Sequence, residues 1–230
     1  NTGLMLDNAL KLGEHVILEG AQGTLLDIDQ GTFPFVTSSI TSRGNATHGA
    51  GIHPGHVGDV IGITKAYITR VGHGAMPTEL EDEAGVHMGT VGKEFGTTTG
   101  RKRRCGWFDA VVMRQAQRIN GFTGLALTKL DVLGGLDELK ICVAYELDGK
   151  EITEIPSTAS ALARCKPVYI SMPGFPELPL SEWLAMAVHA NESGKGISVL
   201  PAAAQQYVAK LETLVGVPCT SIGVGPDRDA

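Results

Sequence analysis

The sequence predicts an α/β fold, a mainly parallel sheet flanked by helices, and three observations predict it. Short apolar runs that read as strands alternate with longer stretches whose apolar residues recur at helical spacing, the order a parallel sheet requires. Two of the strand-like runs, 15–19 and 220–225, open into glycine turns, where α/β folds often place ligands. The chain has 230 residues, 43% hydrophobic and 19% charged, an ordinary globular composition with enough length to bury a substantial core.

The elements follow in order. His15-Val16-Ile17-Leu18-Glu19 reads as a short buried strand running into Gly20-Ala21-Gln22-Gly23. Residues 27–43 are rich in Asp, Gly, Thr and Ser, which predicts a structured loop. His56 to Ile68 is assigned a helix, and Thr69-Arg70-Val71-Gly72 a strand end or connection. Trp107 to Ile119 reads as a helix, with Ala110, Val112 or Met113, Ala116 and Ile119 on one face. Gly124–Thr128 and Leu139–Tyr145 are strand-like. Several prolines and short apolar runs across 149–180 predict an irregular surface excursion. Pro201 suits a first helical turn, and Ala204, Tyr207, Val208, Leu211, Leu214 and Val215 form one apolar stripe behind it. The whole reads as one domain: a core over 1–148, the excursion, then a final helix and strand over 181–230.

Charge and composition exclude some functions. A net charge of −6 and a pI near 5.6 argue against a nucleic-acid binder, which would carry a basic face. No apolar run reaches the roughly 18 residues a membrane span needs. The N-terminal Asn1-Thr2-Gly3-Leu4 shows no charged-then-apolar leader. Cys105, Cys142, Cys165 and Cys219 lack metal or disulfide spacing, which suits a reducing cytoplasm.

Two stretches stand out chemically. Gly96-Thr97-Thr98-Thr99-Gly100-Arg101-Lys102-Arg103-Arg104 is a hydroxyl-rich loop ending in four cations. Threonine hydroxyls and backbone N–H groups can converge on a carboxylate, and guanidinium forks suit carboxylate and phosphate oxygens. In an extended segment Arg101 and Arg103 would share one face, with Lys102 and Arg104 on the other. A solvated or localisation-type basic loop reads the same way from composition alone. Thr128-Lys129-Leu130-Asp131 ends a strand. There the aspartate can accept two hydrogen bonds from a guanine edge while the lysine stem lies over the purine. A solvated Lys-Asp pair is the plainer alternative. Gln22 and Thr37-Ser38-Ser39 offer polar groups to a ligand, although turn chemistry uses them too. His48, His53 and His56, without partner cysteines, read as loop residues. Asp27 and Asp29 read as turn caps before metal ligands.

Longer strings carry a resemblance. Glu19-Gly20-Ala21-Gln22-Gly23-Thr24-Leu25-Leu26-Asp27-Ile28-Asp29, Gly31 to Ser39, Pro77-Thr78-Glu79-Leu80, Glu94 to Asp109, and Leu127 to Leu133 occur in the order found in adenylosuccinate synthetases. From about residue 3 to 228 the chain resembles that family. The resemblance implies a P-loop-NTPase-like GTP-binding ligase fold, incomplete in these residues, and a homodimer in the cytoplasm. It also implies the reaction: GTP phosphorylates the six-oxygen of IMP with Mg²⁺ present, then the amine of L-aspartate displaces phosphate. By the same resemblance Gln22, Thr37, Val71 and Arg101 would contact IMP. Thr97, Thr98, Thr99, Gly100, Arg101, Lys102 and Arg103 would form the aspartate-binding loop. Arg103, Lys129, Leu130, Asp131, Gly223, Val224 and Gly225 would line the GTP site.

The chain departs from the family pattern in three places. No Gly-Asp-Glu-Gly-Lys-Gly-Lys phosphate loop occurs in it, so the catalytic base and acid and the Mg²⁺ ligands are expected outside these residues. Ile40-Thr41-Ser42-Arg43 stands where an asparagine is usual, and Gly223 where a serine is common. The sequence also ends soon after Gly225-Pro226-Asp227-Arg228, where family members continue. The expectation is half an enzyme with little turnover alone. A non-catalytic purine-binding module and a phage-type relative acting on a deoxyguanylate acceptor stand as alternatives.

Overall fold

The computed structural model describes residues 1–96 and 100–226. Helix α1 (Thr2–Lys11) opens the chain, with the Asn1 side chain accepting from the Leu4 N–H as its cap. After a 3₁₀ turn at Thr24–Leu26 come α2 (Gly44–Ala50), β1 (Ile61–Lys65), β2 (Ile68–Arg70) and α3 (Glu83–Val91). Then β3 (Arg104–Gly106), β4 (Phe108–Asp109), α4 (Ala110–Asn120) and β5 (Gly124–Thr128) follow. Next are β6 (Glu138–Leu147), β7 (Lys150–Ile152), α5 (Ala159–Leu162) and β8 (Lys166–Pro173). The chain finishes with α6 (Leu180–Ser193), α7 (Ala202–Val215) and β9 (Cys219–Ile222).

The α/β class holds. One sheet is parallel in the order β1-β5-β9, with Lys65 opposite Thr128 and Leu127 opposite Ile222. A second sheet runs β4-β6-β7 with β8 also on β6. It is parallel at β4-β6 and antiparallel elsewhere. Leu125 and Leu127, two apart on central β5, face one side of the sheet and are almost fully buried in the core. They pack in one core with Ala110 of α4 and with Ala204, Tyr207, Val208 and Leu211 of α7. Burying each large apolar side chain contributes about 1.5–3 kcal/mol. Tyr207 carries its hydroxyl into that core and donates to the Ala66 carbonyl at 2.7 Å, so its polar end costs little. Trp183 of α6 meets Phe175 edge to face, with ring centroids 6.1 Å apart.

Three sequence expectations are corrected here. Residues 15–19 form no strand; nothing among the described residues pairs with them, and Ile17 stands 90% exposed. The helix over His56–Ile68 is instead a 3₁₀ turn, β1 and the start of β2. The β-branched Ile61, Ile63 and Thr64 favour an extended chain, and Gly62 lets Phe122 and β5 approach closely. The 149–180 excursion contains β7, α5 and β8, the last paired with β6 along most of its length. Two of its prolines, Pro167 and Pro173, sit near either end of β8, where a missing N–H is tolerated, and Pro156, Pro176 and Pro179 lie outside strands.

The helix expected from Trp107 begins at Ala110, because Asp109 takes the cap position and accepts from the Val111 and Val112 N–H groups. Gly121, at φ 60°, ends it in the left-handed conformation. The β5 and α7 assignments agree with the structure, Pro201 standing at the α7 cap.

Candidate functional site

Parallel strands present their carboxyl ends to a common rim, where α/β folds bind ligands. On that rim β1 ends at Lys65, β5 at Thr128 and β9 at Ile222. Beyond β5, Lys129 adopts φ 59°, an uncommon left-handed conformation for a residue with a side chain. Leu130 then drops fully into the core. Leu130, a residue expected at the nucleotide, is therefore a buried peg between Lys129 and Asp131. Asp131 starts a 3₁₀ turn, and burial raises its carboxyl pKa, offset in part by its own and the Val132 N–H and by Lys129. Gly223 donates its N–H to the Leu127 carbonyl at 2.7 Å, and its own carbonyl accepts from Leu130 at 3.4 Å. The β5-β9 pairing thus brings Lys129, Asp131 and Gly223 together, with Val224 buried beside them. A Cβ on Gly223 would meet Thr128 at 3.7 Å, an ordinary contact, so the serine common in the family would fit.

The centre of the rim is Glu94, which the sequence reading missed. Its carboxylate is fully buried. Lys65 Nζ reaches its two oxygens at 2.9 and 2.8 Å, and the Tyr67 hydroxyl donates to Oε1 at 2.6 Å. Arg103 Nη1 donates to Oε2 at 2.8 Å, and Lys129 Nζ lies 3.1 Å from Oε1 while also donating to the Gly92 carbonyl. Burial alone would raise the Glu94 pKa. The hydrogen bonds from Lys65, Tyr67 and Arg103 outweigh it and hold the pKa down at about 2. Burial lowers the Lys65 pKa, and Glu94 partly restores it. The approach depends on Gly92: a Cβ there would lie 2.2 Å from the Tyr67 hydroxyl. No spacing rule announces this cluster, since residues 65, 67, 94, 103 and 129 come from separate elements.

Of the hydroxyl-rich loop, Thr97, Thr98 and Thr99 lie outside the described residues. Its neck is closed by backbone: Gly96 donates to Arg101 at 2.8 Å, Gly100 to Gly96 at 2.7 Å, and Phe95 bridges Lys102. The expected shared face of Arg101 and Arg103 is not what the fold gives. Arg103 lines the cleft over the parallel sheet, whereas Arg101 lines a second cavity with Lys102, Arg104 and His73. The ladder begins only at the Phe95–Lys102 bridge, so strand alternation does not extend to Arg101. Arg104 pairs bidentately with Glu79 and donates to the Gly72 and Gly74 carbonyls, which makes it structural.

The larger cleft, about 740 Å³, is lined by Gln22, Val71, Arg103, Lys65, Tyr67 and Asp109 among others. Three of the expected contact residues, Gln22, Val71 and Arg103, therefore share one cavity; Thr37 is not among its lining residues. Gln22 sits exposed at φ 62° on the turn after residues 15–19. Asp27 fixes the loop beyond it. Oδ1 accepts the N–H groups of Asp29 at 3.0 Å and Gln30 at 2.9 Å. Oδ2 accepts those of Thr41 at 2.7 Å and Ser42 at 3.0 Å. Asp27 is thus a turn cap, and Thr37 hangs from the same loop by its N–H to the Leu26 carbonyl at 2.8 Å. Buried Arg70 ties that loop to β2 through the Thr32 hydroxyl at 3.0 Å and the Phe35 carbonyl at 2.9 Å. His53 accepts from the Gly55 N–H at 3.0 Å. Among the described residues, no group of three His, Cys, Asp or Glu is placed to hold a metal ion.

The rim therefore offers a carboxylate beside a lysine at one end, a basic loop in the middle and an amide-bearing turn across a cleft. A family model described as adenylosuccinate synthetase matches residues 1–230. The solved, fully ligated adenylosuccinate synthetase of Plasmodium falciparum is similar to this chain at a TM-score of 0.89 and 35% identity, over 99% of this chain and 52% of that one. Cyanophage S-2L succinoaminodeoxyadenylate synthetase, solved with dGMP and dATP, is similar at a TM-score of 0.56 and 15% identity, over 98% and 48%. The second likeness is one of fold alone. The chain spans about half the length of both solved proteins.

Proposed function

Because the chain belongs to the adenylosuccinate synthetase family, we propose that it supplies the guanine-reading, aspartate-binding and part of the IMP-binding surface of a GTP-dependent ligase. That ligase joins L-aspartate to IMP and yields adenylosuccinate, GDP and phosphate. The observation that carries this reading is the convergence of Arg103, from the basic loop, and Lys129, from the β5 end, on one buried carboxylate. It supports a reading in which the loop expected to bind anions and the turn expected to read the base serve one site.

Each residue then has a task its chemistry suits. Asp131 accepts the ring N–H and exocyclic amine of guanine, a donor pair adenine lacks. Lys129 covers the purine face with its stem. Gly223, Val224 and Gly225 border the other edge of the base, with Leu130 anchoring the turn from below. The 97–103 loop, with Gly100, Arg101 and Lys102, takes the aspartate carboxylates, and Arg103 faces both aspartate and GTP. Gln22, Thr37, Val71 and Arg101 hold IMP, Gln22 through its base. Phosphorylating the six-oxygen turns a poor leaving group into a good one, and the aspartate amine then displaces it. Mg²⁺ serves the phosphoryl transfer in this reading, but the described residues do not assemble a site for it, so no step here runs through it. The assembly is a homodimer working in the cytoplasm, and no nucleic acid or membrane takes part.

Nucleotide selectivity tests the reading. The chain should bind GDP more tightly than ADP by about a hundredfold, the worth of two hydrogen bonds to a charged group. Asp131→Asn should weaken GDP and favour XDP, whose ring carries an oxygen where guanine has its amine. Equal affinities for GDP and ADP would sink the assignment. Turnover is a separate question. With GTP, Mg²⁺, IMP and L-aspartate we expect little adenylosuccinate by absorbance, since the 230 residues contain no Gly-Asp-Glu-Gly-Lys-Gly-Lys string. Product formation would overturn that expectation.

A further inference from the structure

We infer that Glu94 is a positioning residue that couples guanine binding to aspartate binding; the inference rests on the function proposed above and deepens it. The carboxylate touches neither ligand in that reading. It acts through Arg103 and Lys129, which it holds from opposite oxygens, 2.8 Å from Oε2 and 3.1 Å from Oε1. Lys65 bridges both oxygens and Tyr67 takes the remaining direction on Oε1. With its acceptor sites filled, the buried carboxylate cannot swing without breaking several charge-assisted bonds at once.

The arithmetic of donors makes this a device for preorganisation. Arg103 spends one of its five N–H donors on Glu94. Lys129 spends its donors on Glu94 and the Gly92 carbonyl. Three cations, Lys65, Arg103 and Lys129, face a single carboxylate, so the cluster keeps surplus positive charge for an anionic ligand. Fixing Lys129 against a bound purine steadies Glu94, and Glu94 in turn steadies the guanidinium that meets the aspartate carboxylate. The second ligand then loses less freedom to a site already ordered, which is positive coupling. Gly92 belongs to the device, because any side chain there would push Tyr67 off the carboxylate.

Calorimetric titration of the 230-residue chain, with IMP present throughout, tests this. L-aspartate affinity is measured with and without GDP. In the parent chain GDP should strengthen L-aspartate binding by about fivefold or more. Glu94→Gln, matched in shape but uncharged, should bring that ratio close to one and weaken each ligand alone. Glu94→Asp, which keeps the charge, should restore part of the coupling, as a purely structural role would not require. If Glu94→Gln fails to fold, Lys129→Gln probes the same link from its accessible end. L-aspartate affinity without GDP should then fall although Lys129 is not placed against aspartate. Unchanged coupling in a folded Glu94→Gln chain, or unchanged L-aspartate affinity in Lys129→Gln, refutes the role of Glu94. A parent chain that binds neither GDP nor L-aspartate refutes the functional reading itself, and this inference with it.

Discussion

Replacing Asp27 by asparagine should damage the loop carrying Gln22 and Thr37 out of proportion to a change of one atom. Both carboxylate oxygens of this fully buried side chain are acceptors, each for two backbone N–H groups. An asparagine can satisfy one pair with its oxygen, but its amide then points donors at the other pair, whether Asp29 and Gln30 or Thr41 and Ser42. Two partly buried N–H groups lose their acceptor, at up to about 1–3 kcal/mol each, giving at most about 2–6 kcal/mol in total. For a chain of this size that lowers Tm by several degrees, at about 2–4 °C per kcal/mol. Urea denaturation of Asp27→Asn against the parent reads the loss directly, with Asp29→Asn, exposed and uncommitted, as the control. The pH dependence gives a second signature. Burial raises the Asp27 pKa, but its four backbone bonds together hold it below the ordinary carboxylate value. Its contribution is therefore full above the unfolded pKa and fades as pH falls through the folded one. The difference between the two chains should shrink in acid. A loss under about 1 kcal/mol at neutral pH, or one independent of pH, would refute the four-bond account.

Two further outcomes follow from the packing. Burial pushes the Asp109 pKa from 3.8 up to about 6, against the Tyr145 hydroxyl and the Val111 and Val112 N–H groups. The folded chain thus holds this proton more tightly than the unfolded one. Stability from it is greatest below the unfolded pKa and is lost as pH rises toward the folded value, a fall of about 3 kcal/mol. Asp109→Asn should be flatter across that window in denaturation at several pH values, and a parallel profile would count against the assignment. Gly92→Ala should cost about 1–3 kcal/mol by overpacking, its Cβ falling 2.2 Å from the Tyr67 hydroxyl, whereas Gly223→Ser, whose Cβ would meet Thr128 at an ordinary contact of 3.7 Å, should change stability by under about 1 kcal/mol. Melting curves of both variants check the contrast.

What could be read from the sequence was what local pattern determines. Gly124–Thr128 is a short apolar run bounded by turn residues, and the α7 stripe repeats at helical spacing, so both were legible. Residues 15–19 carry an equally strand-like pattern, but a strand exists only with a partner, and pairing is not written locally. The 149–180 stretch was misread because prolines signal breaks, while β8 tolerates Pro167 and Pro173 at its ends. The Lys129 and Asp131 pair proposed to read the base is visible as a tetrapeptide, and Gly223 joins it only through the β5-β9 register. Glu94 was invisible for a simpler reason: its four partners are Lys65, Tyr67, Arg103 and Lys129, up to 35 positions away, and only folding assembles them.

Leu130 stands between Lys129 and Asp131 with its side chain wholly inside the core. In the proposed reading, recognition and cohesion are therefore written into three adjacent residues and cannot drift apart. Because Leu130 packs in the same core as α7 and β5, a change of volume there would be expected to shift the turn and the two side chains that flank the peg. Loss of nucleotide affinity in a variant far from the rim would be indistinguishable, by affinity alone, from a lesion in the binding residues. Over evolutionary time such wiring ties the repacking of an interior to the constancy of a ligand, and leaves the surface of α7 freer to vary than its inward stripe.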